Sequence, residues 1–253
     1  VDIKTKNLLI SMRVIAKLDI KNDYVIKGIN FEGLRKVGNP NNLALKYYLD
    51  GADELIYIDS VASLYDRENI TKFLNLATKD IFIPITVGGG VRTLKTSQKL
   101  LNNGADKVAV NTALFSNSRL GGQLVKKYGS QSVVLSIQAK KISEGNWEAY
   151  TNYGRDRTNM NVVDWIKRNS KNNFGEILLT SIDAEGLLSG FDIDLYEKVS
   201  KYINKPLIAC GGFGKVKHIY ELIKYINIDA ISISSALHYN KIKIQDIKKT
   251  LTN

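Results

Sequence analysis

The feature that most constrains this chain is that its second half repeats its first. TVGGGV (86–91) matches IACGGF (208–213) at an offset of 122 residues, and DELIYID (53–59) matches GEILLTS (175–181) at the same offset. DKVAVNTALF (106–115) matches DAISISSALH (229–238) at 123, and KLDIK (17–21) matches SIQAK (136–140) at 119. Four matches in one order mark a duplicated unit rather than a chance likeness among apolar strands. The matched stretches belong to eight short apolar runs: 13–20, 54–60, 83–89, 107–113, 132–140, 176–183, 206–212 and 230–236. Continuous runs rich in Val and Ile are what strands buried on both faces look like. Helical patterns lie between them, such as NLALKYYLDGA, TLKTSQKLLNNGA, MNVVDWIKRN and LYEKVSKYI. Strand–helix alternation repeated eight times, in about 250 residues, predicts an α/β fold, a single (β/α)₈ TIM barrel of two (βα)₄ halves. No Pro- or Ser-rich linker divides the chain. The expected division is an N-terminal extension over 1–12 and one barrel over 13–253.

Composition narrows the function classes. Hydrophobic residues make up 44% and charged residues 24%, ordinary for a folded domain. No apolar run approaches the roughly 20 residues of a membrane span. The first twelve residues lack the apolar core of a signal peptide, and one cysteine, Cys210, suits a reducing compartment. A cytoplasmic protein without a membrane partner is expected. Two histidines and one cysteine leave little for a structural zinc site, and no metal or cofactor is expected. The net charge of +11 comes mostly from lysines spread at helical spacing. It reads as solvated helix faces and attraction of an anionic substrate, not as a nucleic-acid interface.

In a (β/α)₈ barrel the C-terminal strand ends carry the chemistry. Here they read Asp19, Asp59, Gly88–Gly90, Asn111–Thr112, Gln138, Thr180 with Asp183 and Glu185, Gly211–Gly212 and Ser234–Ser235. Glycine turns ahead of helices let backbone N–H groups approach a phosphate. Each half joins one such turn to small hydroxyl or amide residues on its next strand. This predicts two phosphate cradles: Gly89, Gly90, Asn111 and Thr112 in the first half, Gly211, Gly212, Ser234 and Ser235 in the second.

RVIAKLDIKNDYVIKGINFEGLR, DELIYIDSVAS, IPITVGGGVRT, GADKVAVNTA, YGSQSVVLSIQAKK, GEILLTSIDAEGLLSG, PLIACGGFGK and DAISISSALHY together resemble the cyclase subunits of imidazole glycerol phosphate synthase, from about Arg13 to the C-terminus. The resemblance implies a cyclase of histidine biosynthesis. Ammonia from a glutaminase partner would convert a bisphosphorylated ribulosyl-aminoimidazole carboxamide to imidazole glycerol phosphate and an aminoimidazole carboxamide ribotide. It implies that Asp19 is an acid/base group, that Lys27 lies on a loop near substrate, and that Asp59, Thr180, Glu185 and Gly186 line the substrate site. Arg13, Glu54, Lys107 and Glu176 match the family's ammonia gate, and Asp106 and Gln131 match its glutaminase interface.

Several positions depart from the family pattern. Gln138 stands where a second essential aspartate is expected, and glutamine cannot exchange a proton or hold negative charge. Glu185 replaces the usual aspartate, Leu187–Leu188 replace polar residues, and Lys17 replaces a small residue. Gln138 is open to three readings: an engineered change, a cyclase in which another residue substitutes, or a paralogue with another task. Such a paralogue would conduct ammonia to a different amidotransfer reaction, for instance on a surface sugar. A non-catalytic scaffold that activates the glutaminase is the alternative from another class.

Overall fold

The computed structural model describes residue 9 and residues 11–61 and 70–252. The N-terminal extension therefore lies almost wholly outside the described residues, as do Ala62 and Ser63 of the family-like stretch. The eight apolar runs are the eight staves of a closed parallel barrel. They are β1 (Arg13–Lys21), β4 (Glu54–Asp59), β5 (Ile85–Gly88), β6 (Lys107–Val110), β7 (Val133–Ser143), β10 (Glu176–Ser181), β11 (Leu207–Cys210) and β12 (Ala230–Ile233). Each pairs with the next in that order. Closure comes from β12 against β1, with Arg13 opposite Ala230.

Side-chain alternation divides the barrel into two cores. Ile15, Ile56, Ala109, Val134, Leu178 and Ile208 point inward and fill the interior as one cluster. Their neighbours Val14, Ala16, Leu55 and Leu179 face the helix layer and pack in a second, larger cluster with Leu74, Leu124, Trp165 and Tyr196. Side-chain caps start several of the helices: Asn39 accepts from Asn41 and Asn42, Thr93 from Thr96, Asn161 from Val163 and Asp192 from Leu195.

Two antiparallel hairpins were not expected from the strand pattern. β2 (Tyr24–Ile29) and β3 (Glu32–Gly38) fold back on the end of β1, and β8 (Asn146–Thr151) and β9 (Asp156–Asn161) fold back on the end of β7. They follow the first barrel strand of each half. Their turn residues are themselves a repeat: Asn30–Phe31 (φ 50° and 64°) and Asn152–Tyr153 (φ 50° and 60°) have the same offset of 122. Asparagine tolerates the left-handed region better than most residues. Phe31 and Tyr153, for which it is strained, meet ring against ring with centroids 4.3 Å apart. The two halves thus touch across the C-terminal mouth as well as along the staves.

Candidate active site

At the N-terminal end, four inward side chains close a ring. Arg13 bonds Glu54 at 2.5 Å and Glu176 at 2.7 Å, and Lys107 bonds the same two carboxylates at 3.0 and 2.8 Å. Positive and negative groups alternate, so every charge has two opposite neighbours. The carboxylates bring Arg13's pKa above its ordinary value, although partial burial opposes this.

Asp106 lies on the same end. Its Oδ2 accepts the N–H of Ile85 at 2.7 Å, while Asp53 and Asp229 accept from Val14 and Leu207 in the same way. Each aspartate precedes one stave and caps the start of a neighbouring one. Asp106 thus has a structural task that needs no partner protein. Gln131 sits exposed in the one-turn 3₁₀ segment Ser130–Ser132.

The opposite mouth holds the chemistry-bearing residues. Gly89 (φ 89°) and Gly90 (φ 70°) turn the chain after β5, and Gly211 (φ 94°) and Gly212 (φ 96°) after β11. A Cβ at Gly89 would lie 2.1 Å from the carbonyl oxygen of Asp59, and one at Gly211 would lie 2.6 Å from that of Ser181. Asp59 and Ser181 are again 122 residues apart, so each turn rests on the end of the preceding stave in the same manner. The first turn opens on a cleft of about 670 Å³ that also takes in Asp19, Asp59, Asn111, Thr112, Gln138 and Thr180. The second opens on a cavity of about 210 Å³ shared with Glu185, Gly186, Ser234 and Ser235. The first-half turn residues thus share a cleft with Asp19 and with Gln138 and Thr180 of the second half, while the second-half turn residues share another with Glu185.

Lys27 requires a correction. It lies on β2, not on a loop, and is only 1% exposed. The β-branched pair Val25–Ile26 favours an extended backbone, and pairing with β3 places Lys27 opposite Arg35. Lys27 Nζ bonds Glu185 Oε1 and lies 3.4 Å from Asp19 Oδ2, while Lys17 Nζ lies 3.2 Å from Asp19 Oδ1. All four groups are buried. Burial favours the neutral form of Asp19, but the two ammonium groups outweigh it and hold the carboxyl below its usual range. Lys17 is also penalised by burial, yet Asp19 keeps its pKa above the ordinary lysine value. For Lys27 burial wins, and its pKa falls to about 8.

Gln138 faces Asp19 from the opposite side of the barrel. Its Oε1 accepts from the backbone N–H of Gly154 at 2.8 Å and lies 3.4 Å from Asn111 Nδ2. Asn111 also donates to the carbonyl of Tyr150, and Thr112 Oγ1 accepts from Asn152 N–H at 3.0 Å. These three residues hold the second hairpin turn over the mouth. Of the other departures, Leu187 is exposed and Leu188 takes a positive φ of 61°. Asp183 caps Lys141 N–H at 2.7 Å.

Sequence reasoning missed Phe31, Tyr153 and His238. His238 Nδ1 bonds Tyr47 Oη at 2.7 Å, and burial pushes its pKa down to about 3, so it is neutral at pH 7. Its Nε2 is buried with no hydrogen-bond partner among the described residues. The ALH match at 236–238 marked a repeat, but no pattern tied this histidine to Tyr47 across 191 residues.

The fold is a single (β/α)₈ barrel whose two halves carry equivalent glycine turns at the C-terminal mouth. A family model described as histidine biosynthesis protein matches residues 13–243. The chain is 52% identical over 207 residues to the imidazole glycerol phosphate synthase subunit HisF of Legionella pneumophila, spanning 82% of this chain and 98% of that protein. It is 41% identical over 245 residues to the HisF subunit of Bacillus cereus strain ATCC 10987, spanning 97% of each, and 40% identical over 243 residues to that of strain G9842. The chain belongs to the HisF family of imidazole glycerol phosphate synthase subunits.

Proposed function

We propose that this chain is the synthase subunit of a glutaminase–synthase pair, working in the cytoplasm. A glutaminase docks on the N-terminal face, and its ammonia enters through the Arg13–Glu54–Lys107–Glu176 ring and follows the barrel axis to the mouth. There a bisphosphorylated ribulosyl-aminoimidazole carboxamide reacts to give imidazole glycerol phosphate and an aminoimidazole carboxamide ribotide. The observation that carries this reading is the closed four-charge ring at one end of a barrel whose other end bears two glycine turns. In this scheme the turns seat phosphates through their backbone N–H groups. Asp19, kept ionised by its lysines, acts as the base at ring closure once a ligand phosphate draws Lys27 away.

A second reading is favoured by one specific observation, the use of Gln138. Its side-chain oxygen is engaged by Gly154 and Asn111, and an amide offers no proton exchange opposite Asp19. Ammonia would then pass through this barrel to another amidotransfer reaction. A turnover assay with the bisphosphate and an ammonium salt separates the two. Imidazole glycerol phosphate formation supports the cyclase. Activation of a bound glutaminase without consumption of the bisphosphate supports ammonia delivery elsewhere.

A further inference from the structure

The second cradle already holds an anion, and that anion belongs to the protein. Glu185 leaves the end of β10 and turns its carboxylate toward the Gly211 turn. Its Oε2 lies 3.4 Å from where a Cβ on Gly211 would be and 3.9 Å from Cys210 Sγ. Its Oε1 bonds Lys27 Nζ and lies 3.4 Å from Ser234 Oγ. The carboxylate is therefore ringed by a turn glycine, a hydroxyl and an ammonium group, the surroundings a phosphate would seek. Glu185 is 2% exposed, so it is built into the site rather than resting over it.

The cavity nevertheless has unused capacity. The hydroxyls of Ser232 and Ser235 line it, are 2% and 5% exposed, and have no hydrogen-bond partner among the described residues. Buried hydroxyls normally find partners, and two orphans facing one cavity point to a ligand that supplies them. The first half places its carboxylate differently: Asp59, which answers to Ser181 and not to Glu185, ends β4 beside the Gly89 turn. Asp59 Oδ1 accepts the N–H of Val61 at 3.0 Å, beside a cleft about three times larger.

We propose that Glu185 is an internal occupant of the second cradle, so that the resting mouth takes one phosphate at Gly89–Gly90 and admits a second anionic group only by displacing the Glu185 carboxylate. The proposal rests on the reading of both turns as anion cradles. It adds a hierarchy between them: among the described residues the first is open, and the second is closed by a residue that also clamps Lys27. A ligand with two anionic ends must break the Glu185–Lys27 pair to seat its second end. A ligand with one anionic end leaves that pair intact. Displacement also gives Lys27 a new partner in place of Asp19 and Glu185, which couples seating of the second end to release of the buried carboxylate on β1.

The test counts phosphates. The wild-type chain and the Glu185→Ala and Glu185→Gln variants are titrated with inorganic phosphate by calorimetry, with thermal melts to confirm that each variant is folded. The expected result is one site in the wild type and two in Glu185→Ala, the new one at least about tenfold tighter than any second site in the wild type. Glu185→Gln, which loses charge but keeps its bulk, should fall between them. Two sites of similar affinity in the wild type would overturn the proposal. So would a folded Glu185→Ala that still takes one phosphate. Neither ammonia nor a glutaminase enters the titration, so a negative turnover assay leaves the count unaffected. Loss of every phosphate site in all three proteins would instead remove the cradle reading itself.

Discussion

The two halves of this barrel agree in backbone and part company in side chains. Asn30–Phe31 and Asn152–Tyr153 repeat one hairpin turn, and Gly89 and Gly211 rest on the ends of β4 and β10 in the same way. Yet Asp19, two residues before the end of β1, answers to Gln138, midway along β7 where that strand passes from the barrel into its hairpin. The Gly89 turn opens on a wide cleft, whereas the Gly211 turn opens on a smaller cavity into which Glu185 turns its carboxylate. Backbone conformations with positive φ and no room for a Cβ tolerate little substitution, so duplicated halves keep them. Polar side chains at the mouth are free of that constraint, provided that each buried group finds a partner. Gln138 finds Gly154 and Asn111, and Glu185 finds Lys27 and Ser234. The difference between the halves is thus a difference in occupancy of one scaffold.

If the backbone is the shared part, breaking it should cost most. Gly89→Ala should destabilise by about 3 kcal/mol, since its Cβ would meet a backbone oxygen at 2.1 Å and its φ is left-handed. Gly211→Ala, with 2.6 Å to the equivalent oxygen, should cost less. Gly33→Ala (φ 59°, nothing near its Cβ) should cost only about 1 kcal/mol. Denaturant unfolding of the three variants checks the order, and equal losses at all three would break the comparison.

Lys107→Glu probes the end where both halves contribute charges. It sets a third carboxylate beside Glu54 and Glu176, which are 7% and 11% exposed in their side chains. Glutamine-dependent product formation should fall about tenfold relative to ammonium-dependent formation in the folded variant. An unchanged ratio would remove the ring from the ammonia route.

The smallest effect is on pH. Lys27 loses its proton as pH rises through about 8, leaving Asp19 and Glu185 without that cation. Binding of a sugar bisphosphate, whose second end takes Lys27 as its partner, should therefore weaken several-fold between pH 7 and 9. The ligand itself does not cause the trend, because a phosphate ester with a second pKa near about 6 is already dianionic. Calorimetry across that range is the check, and Lys27→Met should flatten the profile.

The barrel itself was legible because staves buried on both faces are continuous apolar runs, and the repeat fixed how they group. The four charges of the ring were singled out by the family resemblance, which pointed to Arg13, Glu54, Lys107 and Glu176 at the stave starts. The hairpins were not legible. EGLRKVG and DRTNMN are polar and face outward, the first turn, Asn30–Phe31, has no glycine, and the glycine of the second, Gly154, follows Tyr153 in a four-residue loop. Lys27 was consequently assigned to a loop. The contacts that set the mouth's electrostatics were hidden for another reason. Lys27 and Glu185 are 158 residues apart, and no local pattern brings one to the other.

The central claim is that one scaffold carries different side chains at equivalent positions, and Gln138 tests it most directly. Wild type and Gln138→Asp are compared with the bisphosphate and ammonium as nitrogen donor, measuring kcat and KM separately. A carboxylate there restores a proton-transferring group opposite Asp19, and such groups are worth about 10²- to 10⁴-fold. Aspartate is one methylene shorter than glutamine and still offers an acceptor toward Gly154. The account predicts a kcat that rises about a hundredfold with KM little changed, the mark of an interaction made in the transition state. Equal and substantial kcat in both proteins would contradict it, because glutamine at this position would then cost the reaction nothing.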